Sequence, residues 1–178
     1  MPQKIVQKED PVLRRRAAEI PPDQIRSRKI KDTIHKMSAA LATSHNGIGL
    51  AAPQIGAPLA IFIVSEEARA VQKKADIIND EKERRKKIWK HFVFINPRLI
   101  KSSRKKELMP EGCLSVDGIF GKVKRAKQVT VEALDENGQT FCVGASGLFA
   151  QVLQHEMDHL DGILFIDKAE GLEKLSNE

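Results

Sequence analysis

Residues 147–161, GLFAQVLQHEMDHLD, read as a helix with Ser146 as its N-cap and Gly162 as its C-terminal stop. Leu148, Phe149, Val152, Leu153, Met157 and Leu160 spread apolar surface around much of its circumference. A helix of that kind has to be buried, so the rest of the chain must be arranged around it. His155, Glu156, Asp158 and His159 then need an explanation, because burying such groups is costly unless they are paired, hydrogen-bonded or bound to a metal. His155 and His159 are four residues apart and share one helical face. In the stretch QHEMDHLDG, residues 154–162, they can both aim at one divalent cation, with Glu156 beside it as a general base for a bound water. Two helix-surface histidines with a chance glutamate are the plainer account of so short a pattern.

The remaining chain supplies strands and a second helix. Between Asp23 and about Ser44, Ile25, Ile30, Ile34, Met37 and Leu41 recur near the helical period, with Gly47 as the expected stop. LAIFIVS from Leu59 and HFVFINPRLI from His91 read as paired strands. Val129, Val131 and Ala133 alternate with polar residues, DENG makes a turn, and Phe141 and Val143 resume the alternation, which predicts a hairpin. The expected fold is therefore α+β, with antiparallel or mixed strands around the central metal-binding helix. A chain of 178 residues, 41% hydrophobic and 30% charged, can bury such a core as a single domain over 1–178. Residues 66–90 carry clustered charge without core-facing alternation and read as a solvent-exposed insert, with Trp89 pinning its end.

The net charge of +6 is spread among interleaved acidic residues, and reads first as a solvated surface. Two cysteines are too few for a secreted disulfide framework. The N-terminal stretch lacks the apolar run of a signal peptide, and no run of about 18 apolar residues occurs, so the expectation is a cytoplasmic chain without a membrane span.

A catalytic metal of this type needs a third protein ligand and an open fourth position. Cys113, in EGCLSV, is the best candidate for the ligand, although a lone cysteine is more often a small core residue. Cys142 fits that core reading, and His35, His45 and His91 have no partner at ligand spacing. The glycine-rich GIGLAAPQIG, residues 47–56, lacks the lysine of a phosphate loop. Read as a loop, it would let an extended substrate come close, with the Gln54 amide able to donate to an oxyanion; its glycines can equally be turn residues.

Three motifs in this order, GIGLAAPQIG, EGCLSV and QHEMDHLDG, closely resemble peptide deformylases. EDPVLRRRAAEI and FINPRLI resemble further stretches of that family. The resemblance implies an enzyme that removes the formyl group from the initiator methionine of nascent chains. It implies Cys113, His155 and His159 as ligands of one divalent metal, typically ferrous iron, with zinc, nickel or cobalt able to substitute. Glu156 would be the base and proton shuttle, and Gln54 with the Leu114 N–H would hold the oxyanion. Ile48, Gly49 and Gly112 would bind the extended peptide, Leu148 and Val152 the methionine side chain, and Glu111 with Arg125 would buttress the cysteine loop.

Formylmethionyl nascent peptides are the implied partner, any ribosome contact is expected to be transient, and the chain is expected to be a monomer. Three departures stand out: Asp117 where the family has proline, Gln151 where it has an apolar residue and so a more polar pocket rim, and a long charged insert with a short tail after Asp167. A small metalloprotease fits the helix motif alone, and a deformylase-like binder of RNA or a diverged substrate is the non-enzymatic rival.

Overall fold

The computed structural model describes residues 4–44, 47–72 and 90–174. Helix α1 spans Arg28–Thr43. β1 spans Gly49–Ala51 and β2 Ile61–Ser65, followed by α2 at Glu66–Gln72. β3 (His91–Ser102), β4 (Lys106–Cys113), β5 (Val116–Ala126), β6 (Gln128–Leu134) and β7 (Thr140–Ser146) lead into α3, Gly147–Leu160, and the short β8 is Glu170–Lys174. The strands form a five-stranded sheet in the order β1-β2-β3-β6-β7 and a three-stranded sheet in the order β4-β5-β8. All the strand pairings within them are antiparallel.

The alternation of β2 explains the layering. Phe62 and Val64 join Phe94, Val131, Phe149 and Leu153 in one buried cluster, which packs α3 against the large sheet. Ile61 and Ile63 point the other way, into a cluster with Ile30, Ile34, Met37 and Leu41 of α1. A strand buried on both faces reads as an unbroken apolar run, as IFIVS does. The small sheet covers a third cluster built on Leu13, Val116, Val123, Leu164 and Phe165. With β5 and the large sheet both in contact with it, α3 is the central helix that its composition demands.

Several expectations shift. The helix predicted from Asp23 begins at Arg28, because Pro21 and Pro22 favour a 3-10 turn at Pro22–Gln24 and Ser27 then caps α1 by accepting from the Ile30 N–H. It ends at Thr43, before Gly47. Residues 47–56 are not a plain loop: β1 pairs with β2, and Ala52–Ile55 forms a 3-10 turn. The tail after Asp167 forms β8 against β5. Of the insert, the opening turns are α2, and the Glu66 N–H donates to the Lys90 carbonyl at 2.9 Å, so the excursion leaves and returns at one place. Trp89 and His45 lie outside the described residues. Among the described residues no helix is long and apolar enough to cross a membrane.

Gly162 does stop α3, with φ +76°. A Cβ there would lie 2.9 Å from the backbone carbonyl of Arg14. Gly162→Ala is therefore expected to cost about 2 kcal/mol or more, combining left-handed strain with a backbone clash. Urea denaturation measures this, and an unchanged midpoint would show that the N-terminal segment yields freely.

Candidate active site

Helix geometry brings His155 and His159 together, with ring centroids 5.0 Å apart. Cys113, at the end of β4, places its Sγ 3.2 Å from His159 Nε2. One donor atom from each of the three residues falls within 4.8 Å of the others. A register shift between Gly112 and Cys113 turns the sulfur out of the ladder toward the helix. There the Ser115 N–H donates to it at 3.4 Å and the Gln54 amide at 3.5 Å, which fixes the direction of the sulfur.

Gln54 is held by its 3-10 turn: its Oε1 accepts from the Ala51 N–H at 2.8 Å, and its Nε2 also reaches Ser115 Oγ at 3.2 Å. The amide N–H group is thus already aimed at the cysteine loop. His155 Nδ1 meets Glu111 Oε2 at 2.9 Å, which fixes the ring and leaves Nε2 for ligation. Glu111 is in turn gripped by Arg125, through Nε at 2.7 Å and Nη2 at 2.9 Å. Burial works to raise the Glu111 pKa, but the bonds from Arg125 and His155 outweigh it and hold the carboxyl at about 2.

Glu156 is 3% exposed, and burial pushes its carboxyl up to about 7. Its Oε2 has no hydrogen-bond partner, nor has His159 Nδ1. Burial, and next the charge of His155, lower His159 well below the ordinary histidine range. For His155, burial opposes the charge, but Cys113, Glu111 and Glu156 raise it to about 10. A cysteine sulfur and two imidazoles around one point, beside an orphaned buried carboxylate oxygen, fit a borderline-soft divalent cation with one position left open.

The open side faces a cavity of about 370 Å³. Ile48, Gly49, Gln54, Gly112, Leu114, Leu148 and Val152 all line it, as do Cys113, His155, Glu156 and Glu111, whereas His159 and Arg125 stand outside the lining. A Cβ on Gly49 would lie 2.5 Å from Glu156 Oε1 and 2.9 Å from Val152 Cγ1. Gly49→Ala is therefore expected to displace the carboxylate and lower kcat by about 10²-fold with the fold intact, checked by steady-state rates beside circular dichroism. A kcat near wild type would show that Glu156 has room to move.

Sequence reasoning singled out Asp158 as a buried charge needing a partner but did not find one. The structure supplies two: Arg125 Nη1 at 2.6 Å and Lys168 Nζ at 2.6 Å. Ser115 and Gln154 were missed altogether. Gln154 clips α3 to β5, accepting from the Ala126 N–H and donating to its carbonyl, each at 3.0 Å. Gln151 does not simply make the pocket rim polar: its amide donates to the Pro110 carbonyl at 2.7 Å, tying α3 to β4. Asp117 is exposed at the cavity, and the preceding turn is tied down by Gln7, whose amide donates to the Leu114 carbonyl at 3.1 Å.

This combination of fold and donor set defines a class, the α+β proteins with a hydrolytic mononuclear metal site on a His-Glu-x-x-His helix. The family model for polypeptide deformylase matches residues 2–175, and the chain belongs to that metal-dependent family. It is 40% identical over 150 residues to the peptide deformylase of Borreliella burgdorferi, covering 84% of this chain and 78% of the relative. It is 41% identical over 164 residues to the chloroplastic peptide deformylase 1A of Solanum lycopersicum, covering 92% of this chain but spanning only 58% of the relative's length. The crystal structure of a peptide deformylase from Synechococcus elongatus in complex with actinonin superposes with a TM-score of 0.76 at 32% identity, covering 96% of this chain and 80% of that one.

Proposed function

We propose that the chain hydrolyses the formamide of N-formylmethionyl peptides, releasing formate and a free N-terminus. The observation that carries this reading is the approach of the β1 backbone at Gly49 to the unpartnered carboxylate of Glu156, beside the three converging donors. Without a side chain at Gly49, a peptide edge and a small acyl group can enter together.

Held by Cys113, His155 and His159, a divalent cation would supply Lewis acidity toward the formyl oxygen and toward water. Ferrous iron is the cation we assign in the cell, with zinc, nickel or cobalt able to replace it. Glu156, poised near neutrality, takes the proton of the attacking water and returns it to the leaving amine. The Gln54 amide and the Leu114 N–H receive the developing oxyanion. Backbone groups at Ile48, Gly49 and Gly112 align the peptide, and Leu148 with Val152 takes the methionine side chain. The whole chain acts as one catalytic domain.

Anaerobic, iron-loaded protein should release formate stoichiometrically with new amino termini from a formylmethionyl tripeptide, and chelation should stop it. Cleavage of internal peptide bonds without formate would instead make the chain a small metalloprotease.

A further inference from the structure

The carboxylate of Asp158 and the ammonium of Lys168 take no part in the chemistry above, yet they end an unbroken chain of contacts that starts at a metal-site histidine. His155 Nδ1 bonds Glu111, Glu111 is forked by Arg125, and the third arm of Arg125, Nη1, bonds Asp158 Oδ2. Asp158 is three residues after His155 on α3, so the path runs from α3 to β4, to β5 and back to α3. Four side chains from three elements form this path, and the backbone of α3 closes it into a ring. Gln154 fastens β5 to the same helix beside it, which opposes sliding of the strand.

The ring is unbalanced in charge. Glu111 and Asp158 bracket a single guanidinium, and the side chains of Arg125, Glu111 and Asp158 are only 4%, 3% and 14% exposed. When His155 ligates a cation its imidazole is neutral, and two nearly buried carboxylates then face one guanidinium, leaving a negative charge that burial penalises. Lys168 supplies the second cation, its Nζ 2.6 Å from Asp158 Oδ1. Local structure puts it there: Asp167, at the end of the 3-10 turn Phe165–Asp167, accepts from the Leu164 N–H at 2.9 Å and pairs with Arg14. With both oxygens of Asp158 engaged, its plane is set, and with it the guanidinium, the Glu111 carboxylate and the imidazole.

We propose that Asp158 and Lys168 are positioning residues for His155, holding its ring in the ligating orientation through Arg125 and Glu111. This rests on the reading of His155 as a metal ligand. A group that bonds the ligand directly, as Glu111 does here, typically contributes about 10- to 100-fold to metal retention, and Asp158, acting through Arg125 and Glu111, contributes less. Lys168 is further out and its side chain is 42% exposed, so its share is smaller and partly screened.

The test loads the full chain with cobalt(II), then records the visible spectrum and the rate of metal transfer to a chelator. Asp158→Asn is expected to release metal about fivefold faster, short of the 10- to 100-fold of a direct partner such as Glu111. Lys168→Met should do so about threefold faster with a shifted cobalt spectrum, and Lys168→Arg should restore both, as a charge-held tether requires. Should Asp158→Asn fail to fold, the half-exposed Lys168 pair still decides the matter. The proposal is overturned if both Lys168 variants match wild type in rate and spectrum while Glu111→Gln accelerates release. Failure of the wild type to hold cobalt at Cys113, His155 and His159 is a separate result, and it would overturn the metal-site reading itself.

Discussion

Glu156→Gln is expected to abolish formate release, lowering kcat by about 10²- to 10⁴-fold, with the metal still bound. Glu156 is not among the three converging donors, and its Oε2 makes no hydrogen bond whose loss would disturb the helix. The substitution keeps volume and polarity while removing the proton acceptor. Elemental analysis beside steady-state rates reads both halves: full activity would place the base elsewhere, and lost metal would make Glu156 a ligand. Stability carries a second signature. Burial raises this carboxyl from 4.5 to about 7, so between those values the folded, metal-free chain binds more protons than the unfolded one. Its stability from this group therefore falls as pH rises through that window. Metal-free Glu156→Gln should thus melt above wild type at about pH 8 and lose that advantage at about pH 4, where the wild-type carboxyl is also neutral.

The parts of the fold that could be read from sequence are those whose burial leaves a periodic trace. Helix α3 was legible from its apolar circumference and Gly162, and β2 from an apolar run that serves two clusters. The β6–β7 hairpin followed from alternation around DENG, paired as Val131 with Val143. The small sheet left little trace. β4, KELMPEGC, is an edge strand with half of its residues exposed, which is why it tolerates Pro110 and shows no clean alternation. β8 is exposed at every position, and β1 has only three residues.

The site divides in the same way. The i, i+4 histidines announce a shared point in space, while Cys113 stood out only as the best candidate for a third ligand until the resemblance of its motif singled it out. Asp158 was visible as a buried charge, but Arg125 lies 33 residues away in sequence, and nothing local in either stretch specifies the pairing.

Arg125→Met is expected to destabilise the chain by about 3–5 kcal/mol, far more than any surface ion pair contributes. Arg125 is 4% exposed and serves two carboxylates at once, so its loss strands Glu111 and Asp158 with only His155 and Lys168 as partners. The pH dependence follows from Glu111. Its folded value of about 2 lies below the ordinary 4.5, so the stability it contributes is present above 4.5 and is lost as pH falls through about 2. Without the guanidinium that folded value rises, and the variant should lose its remaining stability at higher pH than wild type does. Urea midpoints across the acid range measure the shift. Neutralising the stranded groups as well, by adding Glu111→Gln and Asp158→Asn, should recover part of the loss, because an unpaired buried charge costs more than no charge at all. A single-variant cost below about 1 kcal/mol, with no recovery in the triple variant, would mean that solvent reaches these carboxylates and that the ring behind His155 is held by packing alone.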